Sequence, residues 1–253
     1  MTRTIRGVLF DMDDTLIDWH DFHERGDWRA TERAHLQNLV DYLARAGTPL
    51  AGSPDAFFHH YGNRVRDAWA QARTSLRAPH LGIILMEVLA AFGCERLSMD
   101  EALRIYDWTP VPLVKLFSDV PPALSALVAR GYQIGIVTNA FQPMALRDIE
   151  LDHYDLLRYF PNKHARVSAA DAGYLKPSPS IFERALHALD LRPEQVVFVG
   201  DNPVADIAGS QGTGMKAILR RVAHTPPMVN GLVVPDAVVD DFSTLLDIIE
   251  AWN

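Results

Sequence analysis

The stretch Gly7-Val8-Leu9-Phe10-Asp11-Met12-Asp13-Asp14-Thr15-Leu16 decides how the rest of the 253-residue chain is read. An unbroken apolar run meets three carboxylates. Continuous apolarity marks a strand covered on both faces, the setting of a parallel sheet with crossover helices. Ligands of such sheets collect beyond the carboxyl ends of the strands, so Asp11 and Asp13 stand where a site is expected. If the backbone stays extended past Phe10, both project to the same side, because strand side chains alternate.

Similar runs recur at residues 134–137, 196–199 and 217–219, with helical patterns between most of them. Leu124, Leu127 and Val128 share a predicted helix face that stops at Gly131. Ser178-Pro179 reads as an N-cap followed by proline at the first helical position, and Pro203 opens another helix in the same way. The fold class is therefore α/β, a Rossmann-like parallel sheet.

Residues 20–112 follow a different pattern. Trp28, Leu36, Leu39, Val40 and Leu43 have helical spacing, and a second helix starts at Ser53-Pro54. A third covers residues 81–92, and a fourth begins with the capping box Ser98-x-x-Glu101. Four helices without a strand signal, set inside a βα pattern, predict an inserted all-helical cap. The expected division is 1–18 and 113–253 for the core and 19–112 for the cap. Hinges are expected near residues 18–22 and in Thr109-Pro110-Val111-Pro112.

Composition narrows the function classes. The net charge is −8 with no Lys/Arg cluster, which gives nucleic-acid binding no electrostatic support. No apolar stretch is long enough to cross a membrane. A single cysteine, Cys94, precludes an intramolecular disulfide and suits the cytoplasm.

Three further strand ends carry chemistry. Thr138 offers a hydroxyl, with Asn139 beside it, where a phosphoryl oxygen could bind. Lys176 precedes a helix start, so a cation flanks a helix N-terminus. The run ending Gly200-Asp201 is followed by Asp206, and hard carboxylate oxygens of this kind suit Mg²⁺.

Taken together and in this order, the segments resemble the haloacid dehalogenase-like superfamily. Its four motifs match Asp11-x-Asp13-x-Thr15, Thr138-Asn139, Lys176-Pro177 and Gly200-Asp201-x-x-x-x-Asp206. In that family the cap occupies one of two slots. Here 124 residues separate Asp13 from Thr138 and only 37 separate Thr138 from Lys176, so the cap is of the first, helical type.

The resemblance implies a phosphatase acting on a small phosphorylated metabolite through an aspartyl-phosphate on Asp11. Asp13 would be the general acid and base, and Thr138, Asn139 and Lys176 would bind the phosphoryl group. Mg²⁺ would be held by Asp11, Asp201 and the main-chain carbonyl of Asp13, with Asp206 supporting. Metal and lysine would keep Asp11 ionised while a less compensated Asp13 carries the proton. Thr15 is expected to steady the loop.

Other activities of the family remain open: a phosphomutase, a dehalogenase, or a non-catalytic binding member. The family's dehalogenases lack the second aspartate of the first motif, which is present here as Asp13. Trp19, His20 and His23, in the flap, and Arg64, Arg66, Arg73 and Arg77, in the cap, are candidate specificity residues.

Overall fold

A computed structural model describes residues 4–223, 225 and 233–253. Residues 1–3, 224 and 226–232, assigned above to the core, lie outside the described residues. The main strands are β1 (Gly7–Phe10), β4 (Gln133–Thr138), β5 (Arg166–Ser168), β6 (Val196–Gly200), β7 (Lys216–Arg220) and β8 (Ala237–Val239). They form one sheet in the order β5-β4-β1-β6-β7-β8, parallel throughout. Phe10 pairs with Ile136 on one side and Val199 on the other. That register brings Asp11, Thr138 and Asp201 to the same edge of the sheet.

Strand alternation builds two cores. Val8 and Phe10 join Ile136, Val199 and Ile218 on one face. They meet Leu124 and Leu127 of α6 (Val120–Ala129) and Leu245 and Ile249 of α11 (Leu245–Glu250). Leu9, Val137 and Phe198 face the other way, onto Ile181, Phe182 and Ala185 of α9 (Pro179–Leu189). Each such side chain stabilises by about 1.5–3 kcal/mol when removed from water. The remaining core helices are α7 (Met144–His153), α8 (Ala169–Ala172) and α10 (Gly209–Gly212).

The inserted segment carries α1 (His20–Arg25), α2 (Trp28–Arg45), α3 (Pro54–Ser75), α4 (Leu81–Ala91) and α5 (Met99–Tyr106). The Asp27 carboxylate caps α2, and Ser53 caps α3 ahead of Pro54. At α5 both arms of the predicted capping box form. The apolar faces of these helices merge into the core cluster that contains Phe10.

Several expectations need correction. Val128 is 46% exposed; the buried stripe of α6 runs Val120, Leu124, Leu127, at spacings of four and three. Ser178 does not cap α9 with its side chain, because its hydroxyl pairs with that of Ser180 at 3.0 Å. At the first crossing, which the sequence left without an element, Phe22 on α1 packs its ring against Trp19 and Trp28. The two crossings between core and insertion also pair with each other, as the antiparallel strands β2 (Ile17–Asp18) and β3 (Lys115–Leu116). β5 and β8, three residues each, had no readable apolar run.

The insertion touches the core a second time. Leu175 N–H donates to Leu76 O (2.8 Å), Ala78 N–H to Gly173 O (3.0 Å) and Leu81 N–H to Phe141 O (2.8 Å). The first two bonds join the α3–α4 connection to the loop that leads into Lys176, and the third joins it to the segment that follows β4.

Candidate active site

The loop after β1 is shaped by its own backbone. Asp11 N–H donates to Val199 O at 2.9 Å and so continues the sheet. Met12 O then accepts from Leu16 (2.8 Å) and Ile17 (3.1 Å), while Asp14 takes a left-handed conformation with φ 55°. Met12 and Leu16 are fully buried and anchor this turn. A second anchor comes from β7: Arg220, 2% exposed, donates to Thr15 O at 3.0 Å and to Asp119 at 2.9 Å. Its guanidinium lies between the rings of Phe117 and Phe242, 3.9 and 4.3 Å from their centroids.

Lys176 is buried, and its Nζ lies 2.7 Å from both Asp11 Oδ1 and Asp206 Oδ1. Burial opposes its charge, but the two carboxylates outweigh it and raise the pKa above the ordinary lysine value. Asp206 reaches this position because residue 200 is glycine; a Cβ there would sit 2.4 Å from the Asp206 carboxylate. The second Asp206 oxygen accepts from Asn202 N–H at 2.9 Å, so both of its oxygens are partnered. Carboxylate oxygens of Asp11, Asp201 and Asp206 all lie within 4.8 Å of one another.

One ammonium serves three carboxylates. Burial, followed by mutual repulsion, accordingly raises Asp201 to about 7. Asp11 is raised well above the usual carboxylate range, chiefly by burial, with Lys176 opposing. A cluster with surplus negative charge and hard oxygen donors fits a small divalent cation. Asp11 and Asp201 supply the less encumbered oxygens.

The description "haloacid dehalogenase-like hydrolase" matches residues 5–214, from β1 through the Asp201–Asp206 segment. The chain belongs to this family.

Among full-length relatives of this haloacid dehalogenase-like hydrolase is a glyceraldehyde 3-phosphate phosphatase from Methanopyrus kandleri, 27% identical, with 97% of each chain covered. Another is a phosphoglycolate phosphatase from Salmonella typhimurium, 27% identical over 96% of this chain and 92% of that one. Among solved structures, a 2-haloacid dehalogenase from Pseudomonas syringae pv. Tomato DC3000 is 27% identical with a TM-score of 0.66. It covers 98% of this chain and 100% of its own. A HAD phosphatase from Thermococcus onnurineus, at 23% identity and TM-score 0.60 over 97% and 98%, shares the fold.

Within the family frame, Asp13 is where the structure departs most from expectation. It is not the less compensated carboxylate. Its Oδ1 accepts from Arg147 Nη2 (2.5 Å) and from Trp19 Nε1 (2.8 Å), while Thr138 Oγ1 lies 3.4 Å from Oδ2. Asp11 and Asp13 therefore engage different cations. Arg147, 2% exposed, also pairs with the buried Glu150 at 2.8 Å. Burial opposes the Arg147 charge, but Asp13 and Glu150 outweigh it and hold the guanidinium ionised. Burial pushes Glu150 up to about 7 even with Arg147 beside it.

Asn139 borders the cavity and ties the Lys176 backbone to it. Its amide receives Lys176 N–H at 2.7 Å and donates to Lys176 O at 3.2 Å, which fixes the lysine backbone. Thr15 Oγ1 reaches Asp201 Oδ1 at 3.4 Å.

A cavity of about 1110 Å³ opens between insertion and core, bounded by Asp13, Asn139, Phe141 and Arg147 below and by α2 and α3 above. Trp19, His23 and Arg66 line it. Arg64 is instead paired with Glu87, and Arg77 lies over the ring of Tyr174.

Arg147, Glu150 and Arg220 escaped the reading of the sequence. Arg147 and Glu150 stand three apart on a helix, a spacing that ordinarily signals a solvated surface pair. Nothing local marks them as buried.

Proposed function

We propose that the chain is a magnesium-dependent phosphatase that hydrolyses a small phosphorylated metabolite, with 19–112 as its cap and the remainder as its core. The observation that carries this reading is the Asp13 carboxyl. It lines the cavity with its side chain 35% exposed, beside Thr138 and two residues from Asp11. A leaving alkoxide needs a proton, which Asp13 would deliver from Oδ2, the oxygen that Arg147 and Trp19 leave open; a leaving halide needs none. The two phosphatase relatives support the same class.

Asp11 attacks phosphorus, and the bond to the ester oxygen breaks as Asp13 protonates that oxygen. Water then attacks the aspartyl-phosphate, gives its proton to Asp13, and releases phosphate and Asp11. Lys176 offsets the charge gathered on Asp11, and Thr138 donates to a phosphoryl oxygen. Magnesium bound by Asp11, Asp201 and the Asp13 carbonyl would add positive charge at the phosphoryl group. Asp206, with both oxygens engaged, supports Lys176 and reaches the metal at most through water.

The test is hydrolysis of an aryl phosphate after thorough chelation, then after magnesium add-back, in wild type and Asp11→Asn. Loss and recovery in wild type, with an inert variant, is expected. Full activity in excess chelator overturns the metal role, and an active Asp11→Asn overturns the nucleophile.

A further inference from the structure

Arg29, Arg33, Arg66 and Arg147 line the cavity, and they are not equally engaged. Arg147 serves Asp13 and Glu150, and Arg33 is paired with Asp55 at 2.6 Å. Arg29 and Arg66 have no carboxylate partner among the described residues. The acids of the same lining are already occupied. Asp13 and Asp55 hold the two paired arginines, and Asp14 faces His23 at 3.1 Å. Asp27 caps α2, and Glu32 turns in towards the Tyr61 and Tyr106 hydroxyls. The mouth thus carries positive charge that no described carboxylate pairs, on a chain whose net charge is −8.

We infer that Arg66 forms a subsite for a second anionic group of the substrate, so that the ester carries a carboxylate or a second phosphoryl group remote from the one that is cleaved. The inference rests on the phosphatase reading above.

The course of α3 places this arginine. Phe58, Gly62, Val65, Arg66 and Trp69 recur at helical spacing on its cavity face. Trp69 meets Phe141 of the cavity floor, with ring centroids 6.3 Å apart. Arg66 stands three residues from Trp69, ~4.5 Å along the helix axis, whereas Asp55, which holds Arg33, is ~21 Å away. A small ester seated on the floor therefore meets Arg66 before the Arg33 pair. Gly62, one turn from Arg66, leaves the helix bare on this face: a Cβ there would meet nothing within 4 Å. Glycine weakens a helix interior, and no packing contact demands one here; what it leaves is room beside the guanidinium. The guanidinium itself is steadied, because Arg66 Nη1 donates to Asn63 Oδ1 at 3.0 Å. Nε and Nη2 stay available for two parallel bonds, the geometry that suits a carboxylate or a phosphate. Arg29, exposed at the first turn of α2, adds to the positive charge of the same mouth.

The experiment measures kcat/KM for two matched pairs and for 4-nitrophenyl phosphate. The pairs are 3-phosphoglycerate against glycerol 3-phosphate, and fructose 1,6-bisphosphate against fructose 6-phosphate. Each pair differs by one anionic group, a carboxylate in the first and a phosphoryl group in the second. Wild type should favour the more anionic member of at least one pair, and which pair responds tells which anion is recognised. Arg66→Gln should lower that preference by about 10- to 100-fold, the usual weight of hydrogen bonds to a charged group. Arg66→Lys, which keeps the charge but not the fork, should retain part of it. Arg66 is exposed, so neither replacement disturbs the core. A preference that Arg66→Gln leaves unchanged overturns the inference. So does a wild type that hydrolyses 4-nitrophenyl phosphate with no preference for the more anionic ester in either pair; the phosphatase reading stands in both cases. A wild type inert towards all of these esters removes the phosphatase reading itself, and the inference with it.

Discussion

The Arg147 guanidinium lies 2.5 Å from Oδ1 of Asp13 and 2.8 Å from Oε2 of Glu150. It thus bridges a cavity-facing carboxyl to one that is 1% exposed. Together with Trp19 Nε1 it occupies one oxygen of Asp13 and leaves Oδ2 on the Thr138 side. In the proposed reaction that arrangement aims the proton donor. Arg147 is a positioning residue.

Replacing Arg147 by Met should strand two carboxylates, a change that typically destabilises by about 3–5 kcal/mol when a buried pair is broken. Arg147→Lys keeps a charge but not the fork that reaches both partners, so it should be milder. For either variant, kcat should fall further with alkyl phosphates than with aryl phosphates, because only the former depend strongly on a proton donor. Equal losses for both substrate types would reduce Arg147 to a structural role.

The strand-end residues were legible because each closes an uninterrupted apolar run: Asp11 after β1, Thr138 in β4, Asp201 after β6. Lys176 and Asp206 were legible through helix starts at Pro179 and Pro203. Those signals are local, and the parallel sheet converts them into proximity. Arg147 has no such signal. Its burial depends on how α7 lies over the end of the sheet, and its opposite-charge neighbour Glu150 disguises the pair as a surface one. Trp19 was seen in the flap, but its bond to Asp13 depends on the turn at Asp14, where φ is positive at a non-glycine residue. β5 and β8 were missed because three-residue edge strands carry too little periodicity.

Glu150 predicts a pH-dependent stability. Its folded-state pKa of about 7 lies above the unfolded value near 4.5, so the folded protein binds more protons between those limits. Stability due to this group should fall as pH rises from about 4.5 to about 7, and level off above. Asp201 acts in the same direction, so the wild-type curve alone is not diagnostic. The readout is the difference from Glu150→Gln in denaturant titrations with chelator. That variant loses the carboxyl contact with Arg147 at every pH, but its disadvantage should shrink across the window as the wild-type carboxyl is forced to ionise. A constant difference from pH 4.5 to 7 would refute the assignment.

Arg220 should matter to activity from a distance. It ties β7 to the Thr15 carbonyl, and Thr15 sits between the Asp13 turn and Asp201. Arg220→Lys loses at least one of the contacts to Thr15 and Asp119, as well as the flat stacking between Phe117 and Phe242. A stability loss of about 2–4 kcal/mol is expected, since a buried charge becomes poorly satisfied. Magnesium affinity should also weaken, because the loop that carries Asp11 and the Asp13 carbonyl loses its brace. Metal titration of the folded variant checks this. Unchanged affinity would separate Arg220 from the site.

The bonds between the α3–α4 connection and the core make a prediction about opening. For the cap to lift, the amides of Ala78, Leu81 and Leu175 must release Gly173, Phe141 and Leu76 together. Each bond is worth only about 0.5–1.5 kcal/mol net, so opening by this route is accessible without unfolding the sheet. Hydrogen exchange should therefore find the three amides exchanging at similar rates, faster than Ile136 in the central β4. A phosphate mimic in the site should slow all three, since closure shields the reacting group from water. Tyr174→Ala removes the ring beneath Arg77 and should speed all three by several-fold without touching Ile136. The same loop carries Lys176, so this variant should also raise KM. If the three amides respond independently, the cap does not move as one body at this contact, and access to Asp11 must come from the β2–β3 side.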